Sequence, residues 1–250
     1  MTEPSPPSFA YSASTLLTLF SEGTYEIEGR MADSSNVTLL VTVRSPAPDG
    51  DDQLEHRAIY KPVKGERPLA DFPPGLHTRE VAMYRVADAL NWDVVPPTAL
   101  VDGPFGEGST QAFVDANFEH HYFSLLQEQK GIDDLKKICA LDYITNNTDR
   151  KSGHCLQAKS GQIFGIDHGL TFHAQFKLRT VIWDFAGLPI PEPMLSDIDR
   201  FVESELPSPM KDLLTTLELD AMFTRAKALR ESEVFPSDDT DGHRWPWPLV

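Results

Sequence analysis

Two polar segments constrain this chain more than any other feature. Residues 141–156 contain the run Asn-Asn-Thr-Asp-Arg-Lys, whose acidic residue is Asp149, and residues 164–169 carry Asp167 within Ile-Asp-His-Gly. Phosphoryl transfer needs two acidic groups in different roles, because one carboxylate orients the attacking hydroxyl while the other holds the metal that bridges the nucleotide phosphates. The spacing therefore predicts a phosphoryl-transfer site, with Asp149 in the first role and Asp167 in the second.

The sequence around these segments predicts how they meet. Apolar side chains recur at helical spacing over residues 132–143, which predicts a helix that delivers Asp149 onto a polar loop just beyond its end. Short apolar runs on both sides of residues 159–161 predict a hairpin that turns at Lys-Ser-Gly. Such a hairpin returns Asp167 to the side of Asp149.

These motifs also carry a family resemblance. Asp149-Arg150 with a metal-capable side chain five residues on, followed by Ile-Asp-His-Gly at 166–169, resembles the catalytic and metal motifs of phosphatidylinositol 3-/4-kinase-like proteins. The chain looks most similar to the small bacterial branch of that superfamily, and atypical kinases such as the HipA toxins and the secreted Fam20 group share a comparable arrangement. The resemblance extends from about residue 29 to about residue 190. It implies an α+β, two-lobed kinase-like fold that binds ATP with Mg²⁺ or Mn²⁺ between its lobes and phosphorylates a hydroxyl acceptor.

The resemblance further implies roles for individual residues. Asp149 orients the acceptor hydroxyl and Asp167 binds the metal, while Arg150 either contacts phosphate or braces its own loop. Where these families usually carry an asparagine as the second metal ligand, this chain has His154. Magnesium prefers oxygen ligands, so a histidine here predicts a preference for manganese or one weakly held metal.

A lysine and a glutamate upstream extend the predicted site. Lys61 ends the strand-like run Ala-Ile-Tyr-Lys, and Glu80 lies in a predicted helix over residues 77–90 that Thr78 is expected to cap. A buried lysine needs a partner, so this order of segments predicts an ion pair between Lys61 and Glu80 that anchors the nucleotide phosphates. Each residue taken alone also fits a solvated strand end or helix face.

Two further segments are expected to touch the nucleotide. A turn rich in Ser and Asn joins the first two strand-like runs and can aim backbone N–H groups at phosphates, with an ordinary hairpin turn as the alternative. The segment 111–115 is expected to link the lobes, where an adenine base bonds backbone groups. The residues concerned are Ser34, Ser35, Asn36, Ala112, Phe113 and Val114.

The chain divides, on this interpretation, into a partly disordered start over 1–20, an N-lobe rich in strands over 21–115 and a mainly helical C-lobe over 116–250. The two lobes share one site and form one functional unit. Asp142, inside the predicted helix, is expected to face solvent or cap a local amide. Two tryptophans near the end of the chain are expected to pack back on the domain or touch a partner.

Composition narrows the possible partners. The 250 residues are 40% hydrophobic, which permits a substantial core. No apolar run approaches the roughly 20 residues needed to cross a bilayer, and the acidic, proline-rich start lacks a secretory pattern, so a cytoplasmic location is predicted. The formal charge of -16 repels phosphate backbones and anionic lipid surfaces. We therefore expect no nucleic-acid partner and no stable membrane association.

Three alternatives stay open at this point. His154, Cys155, His168 and His173 are zinc-ligand types, although the adjacent His154 and Cys155 point to opposite faces of a strand. The atypical His154 also fits a nucleotide-binding pseudokinase that acts as a scaffold, and reversed ATP binding on the same fold gives an adenylyl transferase. The acceptor is open among protein, small alcohol, sugar and inositol headgroup.

Overall fold

The first lobe, the N-lobe, is built around one antiparallel sheet of five strands. The computed structural model describes residues 8–31, 36–47, 53–69, 72–204, 210–240 and 244–249. The sheet has the order β1-β2-β3-β5-β4. Its strands are β1 (Thr24–Arg30), β2 (Leu39–Pro46), β3 (Gln53–Pro62), β4 (Thr98–Gly103) and β5 (Gly106–Ala112).

One face of this sheet is covered by helix α1 (Ala13–Glu22). Val41 of β2 lies opposite Ala58 of β3, and both side chains are fully buried against the apolar face of α1. Because side chains alternate along a strand, the neighbours of these residues point to the other face of the sheet. Helix α1 begins inside the segment predicted to be partly disordered, of which residues 1–7 lie outside the described ranges.

Helix α2 (Leu76–Ala89) follows the loop after β3, close to the predicted 77–90. Its apolar face packs in the same core as the helices of the second lobe, so α2 joins the two halves of the molecule. The prediction that Thr78 caps this helix is wrong. Gly75 is the N-cap in a left-handed conformation, and the Thr78 hydroxyl lies within the first turn, where it donates to the Gly75 carbonyl at 2.8 Å.

The second lobe, the C-lobe, is mainly helical, as predicted. Its helices are α3 (Tyr122–Gln127), α4 (Ile132–Thr145), α5 (Glu192–Glu203), α6 (Met210–Leu213) and α7 (Thr216–Ser232). The predicted hairpin is present as β6 (Cys155–Gln157) paired with β7 (Ile163–Gly165). The helix predicted over residues 132–143 is confirmed as α4, which packs against α7.

The tail of the chain contacts the domain through its backbone and not through the ring of Trp247. Pro246 is buried between them, and the tail is held by backbone bonds from Ser152 N–H to the Leu249 carbonyl at 2.8 Å and from Thr180 N–H to the Arg244 carbonyl. Trp247 nevertheless has 88% of its surface exposed, so its ring does not pack back on the domain. Within the described ranges, every helix is too short or too polar to span a bilayer.

The start of α4 generates a test of stability. Gly131 caps α4 with a φ of 56°, and a Cβ at this position would overlap Cδ1 of Ile163 in the hairpin. Gly131→Ala should therefore lower the free energy of unfolding by about 2 kcal/mol, through backbone strain and overpacking. Urea unfolding measures this loss.

Gly29→Ala in β1 is the matched control, since an added Cβ there meets no atom within 4 Å. It should change the free energy of unfolding far less. Equal losses in both variants would contradict the packing argument.

Candidate functional site

An ion-pair cluster forms where the sheet meets the C-lobe. The Lys61 ammonium, near the end of β3, contacts the Glu80 carboxylate and lies 2.8 Å from Oδ1 of Asp167. The other oxygen of Glu80 accepts a hydrogen bond from the backbone N–H of His168 at 2.9 Å. The structure therefore contains the predicted Lys61–Glu80 pair and brings Asp167 to the same cation.

The charges of this cluster stabilise one another. Burial opposes the charge of Lys61, but the carboxylates of Asp167 and Glu80 outweigh it and raise the pKa of the lysine. The Lys61 ammonium in turn holds the pKa of Asp167 well below its usual range. Asp167 adopts a left-handed backbone with φ 58°, and 53% of its side chain is exposed, so its carboxylate can still reach a ligand in the cleft.

Two asparagines shape the loop that carries Asp149. Asn146 ends α4 in a left-handed conformation, and its side-chain amide donates to the carbonyls of His173 and Gln175, each at 2.7 Å. The side-chain oxygen of Asn147 accepts the backbone N–H of Asp149 at 3.0 Å. These bonds fix the loop after α4.

The residue next to Asp149 is a buried brace. The Arg150 guanidinium is fully buried and makes a two-point ion pair with Asp142 at 2.8 and 2.9 Å. It also donates to the carbonyls of His154 and Ile166. Of the two roles expected for Arg150, the geometry supports bracing of the loop, because a guanidinium enclosed by protein acceptors has no open face for a phosphate.

Asp142 does not face solvent, so that part of the expectation is wrong, whereas the expected bond to a nearby amide is present. Its carboxylate is completely buried beneath Arg150 and also accepts from the Asn147 side-chain amide at 2.9 Å. Helical periodicity assigned Asp142 to a polar position because nothing nearby in sequence identifies its partner. Only the return of the chain after α4 places the guanidinium over it.

Asp149 itself stands at the edge of the cleft with 28% of its side chain exposed. Burial raises the pKa of its carboxyl, and Lys151 partly offsets that rise. Nζ of Lys151 lies 3.3 Å from Oδ2 of Asp149. Sequence reasoning missed Lys151, although its place two residues after Asp149 could have identified a cation beside the acceptor site.

His154 lies on the other side of Asp167. Its Nε2 is 3.5 Å from Oδ2 of Asp167, and its Nδ1 lies 3.4 Å from the Lys151 backbone nitrogen, at the long end of hydrogen bonding. Burial lowers the pKa of His154 to about 4, which keeps the imidazole neutral and able to donate a lone pair. An imidazole nitrogen and a carboxylate oxygen thus converge, and this donor set fits a divalent cation with softer preferences than Mg²⁺.

The zinc alternative gains no support. Across the part of the chain that the structure describes, no three His, Cys, Asp or Glu side chains are grouped to hold a metal ion. Cys155 is fully buried in the C-lobe core, while its neighbour His154 lies next to Asp167. His154 ends the short 3-10 turn Ser152–His154 and precedes β6, so the expected alternation along a strand is not what separates the two side chains.

Some of the groups expected to contact the nucleotide already make hydrogen bonds within the protein. Ser34 and Ser35 lie outside the described residues, and the Asn36 side-chain oxygen accepts the backbone N–H of Arg67 at 3.0 Å. The backbone N–H groups of Ala112 and Phe113 already donate to other carbonyls. In the described chain no hydrogen bond engages the N–H of Val114, which makes Val114 the member of that segment best able to donate to a base.

Four apolar residues missed by sequence reasoning lie near the predicted site residues. Ile59 shares a sheet face with Lys61 by strand alternation, and Leu40 lies directly opposite it. Leu156 of the hairpin packs with Val114, and the half-buried Ile166 lies against them. Ile59 could have been found from its spacing two residues before Lys61. Leu156 and Ile166 became recognisable only when the hairpin was placed.

The chain is similar to known sequences. The sequence model described as phosphatidylinositol 3- and 4-kinase matches residues 85–232. Protein Rv2133c of Mycobacterium tuberculosis is 33% identical over 272 aligned positions, which span 92% of this chain and 94% of that protein.

Two solved structures share the fold. The Golgi casein kinase with Mn/ADP bound superposes with a TM-score of 0.57 at 14% identity, over 95% of this chain and 80% of that one. The hydra Fam20 structure with sugar gives a TM-score of 0.58 at 12% identity, over 93% and 91%. The predicted α+β, two-lobed kinase-like fold is confirmed.

The buried Arg150–Asp142 pair generates a prediction. Arg150→Met leaves the Asp142 carboxylate uncompensated in the core, which should lower the free energy of unfolding by about 3–5 kcal/mol. Urea unfolding followed by circular dichroism measures the loss.

Arg57→Met is the control, because the Arg57–Glu28 ion pair is largely exposed and screened by solvent. Its loss should be much smaller. A similar loss in both variants would show that the buried pair is no stronger a constraint than a surface pair.

The depressed pKa of His154 generates a prediction about acid stability in the metal-free protein. In the unfolded chain this imidazole takes up a proton near pH 6.5, whereas in the folded chain it stays neutral down to about pH 4. The free energy of unfolding should therefore fall as pH drops through this window, and His154→Gln should make the fall shallower. Burial also lowers the pKa values of His56 and His168, so these two residues account for the pH dependence of the free energy of unfolding that remains in the variant. An unchanged slope in the variant would contradict this assignment.

Proposed function

Because the chain belongs to the phosphatidylinositol 3- and 4-kinase family, we propose that it is an ATP- and divalent-metal-dependent phosphotransferase that acts on a hydroxyl acceptor. One observation carries the proposal. The Lys61 ammonium joins Glu80 and Asp167 in a single cluster at the cleft between the lobes, with Asp149 on the neighbouring loop. A phosphate-binding cation, a metal-binding carboxylate and a hydroxyl-orienting carboxylate are the parts that phosphoryl transfer requires.

The nucleotide is proposed to lie between the two lobes. Its base occupies the apolar slot between Ile59 and Leu156, with the backbone of Val114 at its edge. Its phosphates extend toward Lys61, whose ammonium is held in place by Glu80. Asn36 is proposed to contact the phosphates, as are Ser34 and Ser35, which lie outside the described residues.

Asp167 and His154 would hold the divalent cation. When bound, the cation neutralises the charge of the phosphate oxygens. Manganese is the better match, since an imidazole nitrogen is one of the two ligands. The related fold of the Golgi casein kinase with Mn/ADP bound supports both the nucleotide and the choice of metal.

Asp149 is proposed to orient the acceptor hydroxyl for in-line attack. A bond forms between the acceptor oxygen and the γ-phosphorus while the bond to the β-phosphate oxygen breaks, and ADP leaves. The hydroxyl proton passes late to Asp149, whose raised pKa suits it to receive that proton. Lys151, 3.3 Å from Asp149, adds positive charge beside the transferred group. Arg150 acts indirectly, by keeping this loop in place.

The acceptor is proposed to be a protein or a small hydroxyl compound. The formal charge of -16 disfavours nucleic acid and stable membrane association. Residues 169–182, which follow Asp167 and its neighbour, contain only Lys177 and Arg179 along with His173 as basic residues. This is little positive charge for an anionic lipid headgroup, so the lipid substrates of the family name are not proposed for this chain. The proposed location of this ATP-dependent reaction is the cytoplasm.

The histidine at position 154 favours one alternative, a nucleotide-binding pseudokinase, and the same fold also permits adenylyl transfer. Labelled ATP separates the three functions. Transfer of γ-label to an acceptor or to the protein itself indicates a kinase, and transfer of α-label indicates adenylyl transfer. Binding with neither transfer indicates a pseudokinase. Asp149→Asn should abolish transfer and leave Mn·ADP binding intact.

Nucleotide binding can be tested through thermal stability. ATP with Mn²⁺ should raise the melting temperature of the wild type, by an amount that grows with the logarithm of ligand concentration over the dissociation constant. Asp167→Ala should remove the metal-dependent part of that rise, because it removes the carboxylate proposed to bind the cation. Thermal melting with and without Mg²⁺ or Mn²⁺ measures both effects.

Asp220→Ala provides the control, since Asp220 is an exposed carboxylate on α7 away from the cleft. It should keep the full rise. No rise in the wild type at millimolar ATP with either metal would reject the catalytic proposal.

A further inference from the structure

A short segment ahead of α1, residues 8–11, reaches from the N-lobe to the C-lobe, and is called the clasp below. The Ser8 hydroxyl lies 2.6 Å from the Ser160 hydroxyl and donates to the side-chain oxygen of Gln162, also at 2.6 Å. Both partners belong to the turn between β6 and β7. The clasp is therefore tied to the hairpin that precedes Asp167.

One aromatic ring of the clasp touches both lobes. The half-buried Phe9 ring has its centroid 5.9 Å from that of His56 in β3 and 5.3 Å from that of Phe164 in β7. Both separations are in the range of favourable aromatic contacts. Tyr11 adds a second ring, 6.4 Å from His56. The clasp thus fills the junction between the sheet and the hairpin with apolar surface.

The two strands that Phe9 touches carry the two ends of the ion-pair cluster. His56 lies on the same strand as Lys61, and Phe164 precedes Asp167 by three residues. The orientation of β3 relative to β7 therefore sets the distance between the ammonium and the carboxylate. Phe9 contacts both strands directly.

The lobes are also attached through α2, which packs in the C-lobe core, and through the Gly165 N–H of β7, which donates to the Val94 carbonyl at 2.7 Å. The covalent link after β5 is a single chain connection, about which two lobes can rotate. The Lys61–Asp167 ion pair is polar and must rearrange when phosphates and a cation bind to the same two side chains. The clasp uses neither side chain, so its contacts do not compete with a nucleotide or a cation for Lys61 or Asp167.

We propose that Ser8 and Phe9 are positioning residues, which hold the hairpin against the sheet and so keep Lys61 and Asp167 at the separation that nucleotide binding requires. This inference rests on the proposed function for its effect on nucleotide affinity. Its effect on the arrangement of the lobes is independent of any nucleotide and can be measured separately.

The first measurement reports the lobes alone. Leu100 of β4 and Asp220 of α7 are exposed, and Leu100→Cys with Asp220→Cys provides one spin-label site on each lobe, while the native Cys139 and Cys155 are buried. Pulsed electron resonance should give a narrow distance distribution in this background. Adding Phe9→Ala should broaden or shift the distribution. Phe105→Ala, which removes an exposed aromatic ring at the β4–β5 turn, should not.

The second measurement reports the site. In the unlabelled protein, Phe9→Ala should weaken binding of Mn·ADP about tenfold, the effect of losing an aromatic contact and its buried area. Ser8→Ala should weaken it less, and Phe105→Ala should leave it unchanged. Calorimetric titration gives the dissociation constants.

A rescue separates positioning from general destabilisation. Because the two hydroxyl oxygens lie 2.6 Å apart, Ser8→Cys with Ser160→Cys is placed to form a disulfide that replaces the clasp. Oxidation of this pair in the Phe9→Ala background should restore Mn·ADP affinity, and reduction should abolish the gain.

The outcomes distinguish the clasp from the proposed function. An unchanged distance distribution in Phe9→Ala, or an equal change in Phe105→Ala, overturns the clasp whether or not nucleotide binds. A changed distribution with unchanged Mn·ADP affinity overturns the positioning role. If the wild type binds no nucleotide, the proposed function fails, and the distance measurement alone then decides whether the clasp orders the lobes.

Discussion

The part of the C-lobe that carries Asp149 and Asp167 depends on one constraint, the buried guanidinium of Arg150. It binds Asp142 of α4, the carbonyl of His154 and the carbonyl of Ile166, which belong to three separate stretches of chain. A charge with no exposure to water needs every one of these acceptors, since each missing partner leaves a costly unpaired group. The loop of Asp149 and the hairpin before Asp167 are therefore fixed relative to one another by one side chain.

The charge of Lys61 joins this part of the C-lobe to the sheet. Lys61 projects from β3 toward Glu80 on α2 and Asp167 beyond the hairpin. Because α2 packs in the C-lobe core, the contacts of Lys61 are contacts between lobes. Arg150 is enclosed and acts as a permanent brace, whereas Asp167 is half exposed and can exchange its partner for a ligand. The difference in exposure separates a structural ion pair from a functional one.

Much of the candidate site could be predicted because its parts lie near one another in sequence. Helical spacing before Asp149 and the short hairpin before Asp167 are local patterns, and both are present as α4 and β6–β7. Asp142 was expected to face solvent or cap a local amide, because local sequence cannot identify Arg150 as its buried partner. Thr78 was assigned as a cap because residue type alone does not fix where a helix begins.

Local sequence patterns predicted α2, α4 and the β6–β7 hairpin, which the structure contains, and they nominated Asp149, Asp167, Lys61 and Glu80 for roles in phosphoryl transfer. These follow from short-range patterns and from the limited set of residue types that suit phosphate and metal chemistry. Only the tertiary structure decided that Asp142 is buried, that Arg150 is a brace and that Phe9 touches both lobes. Each of these depends on contacts between segments far apart in the chain, where burial and charge pairing outweigh local preference.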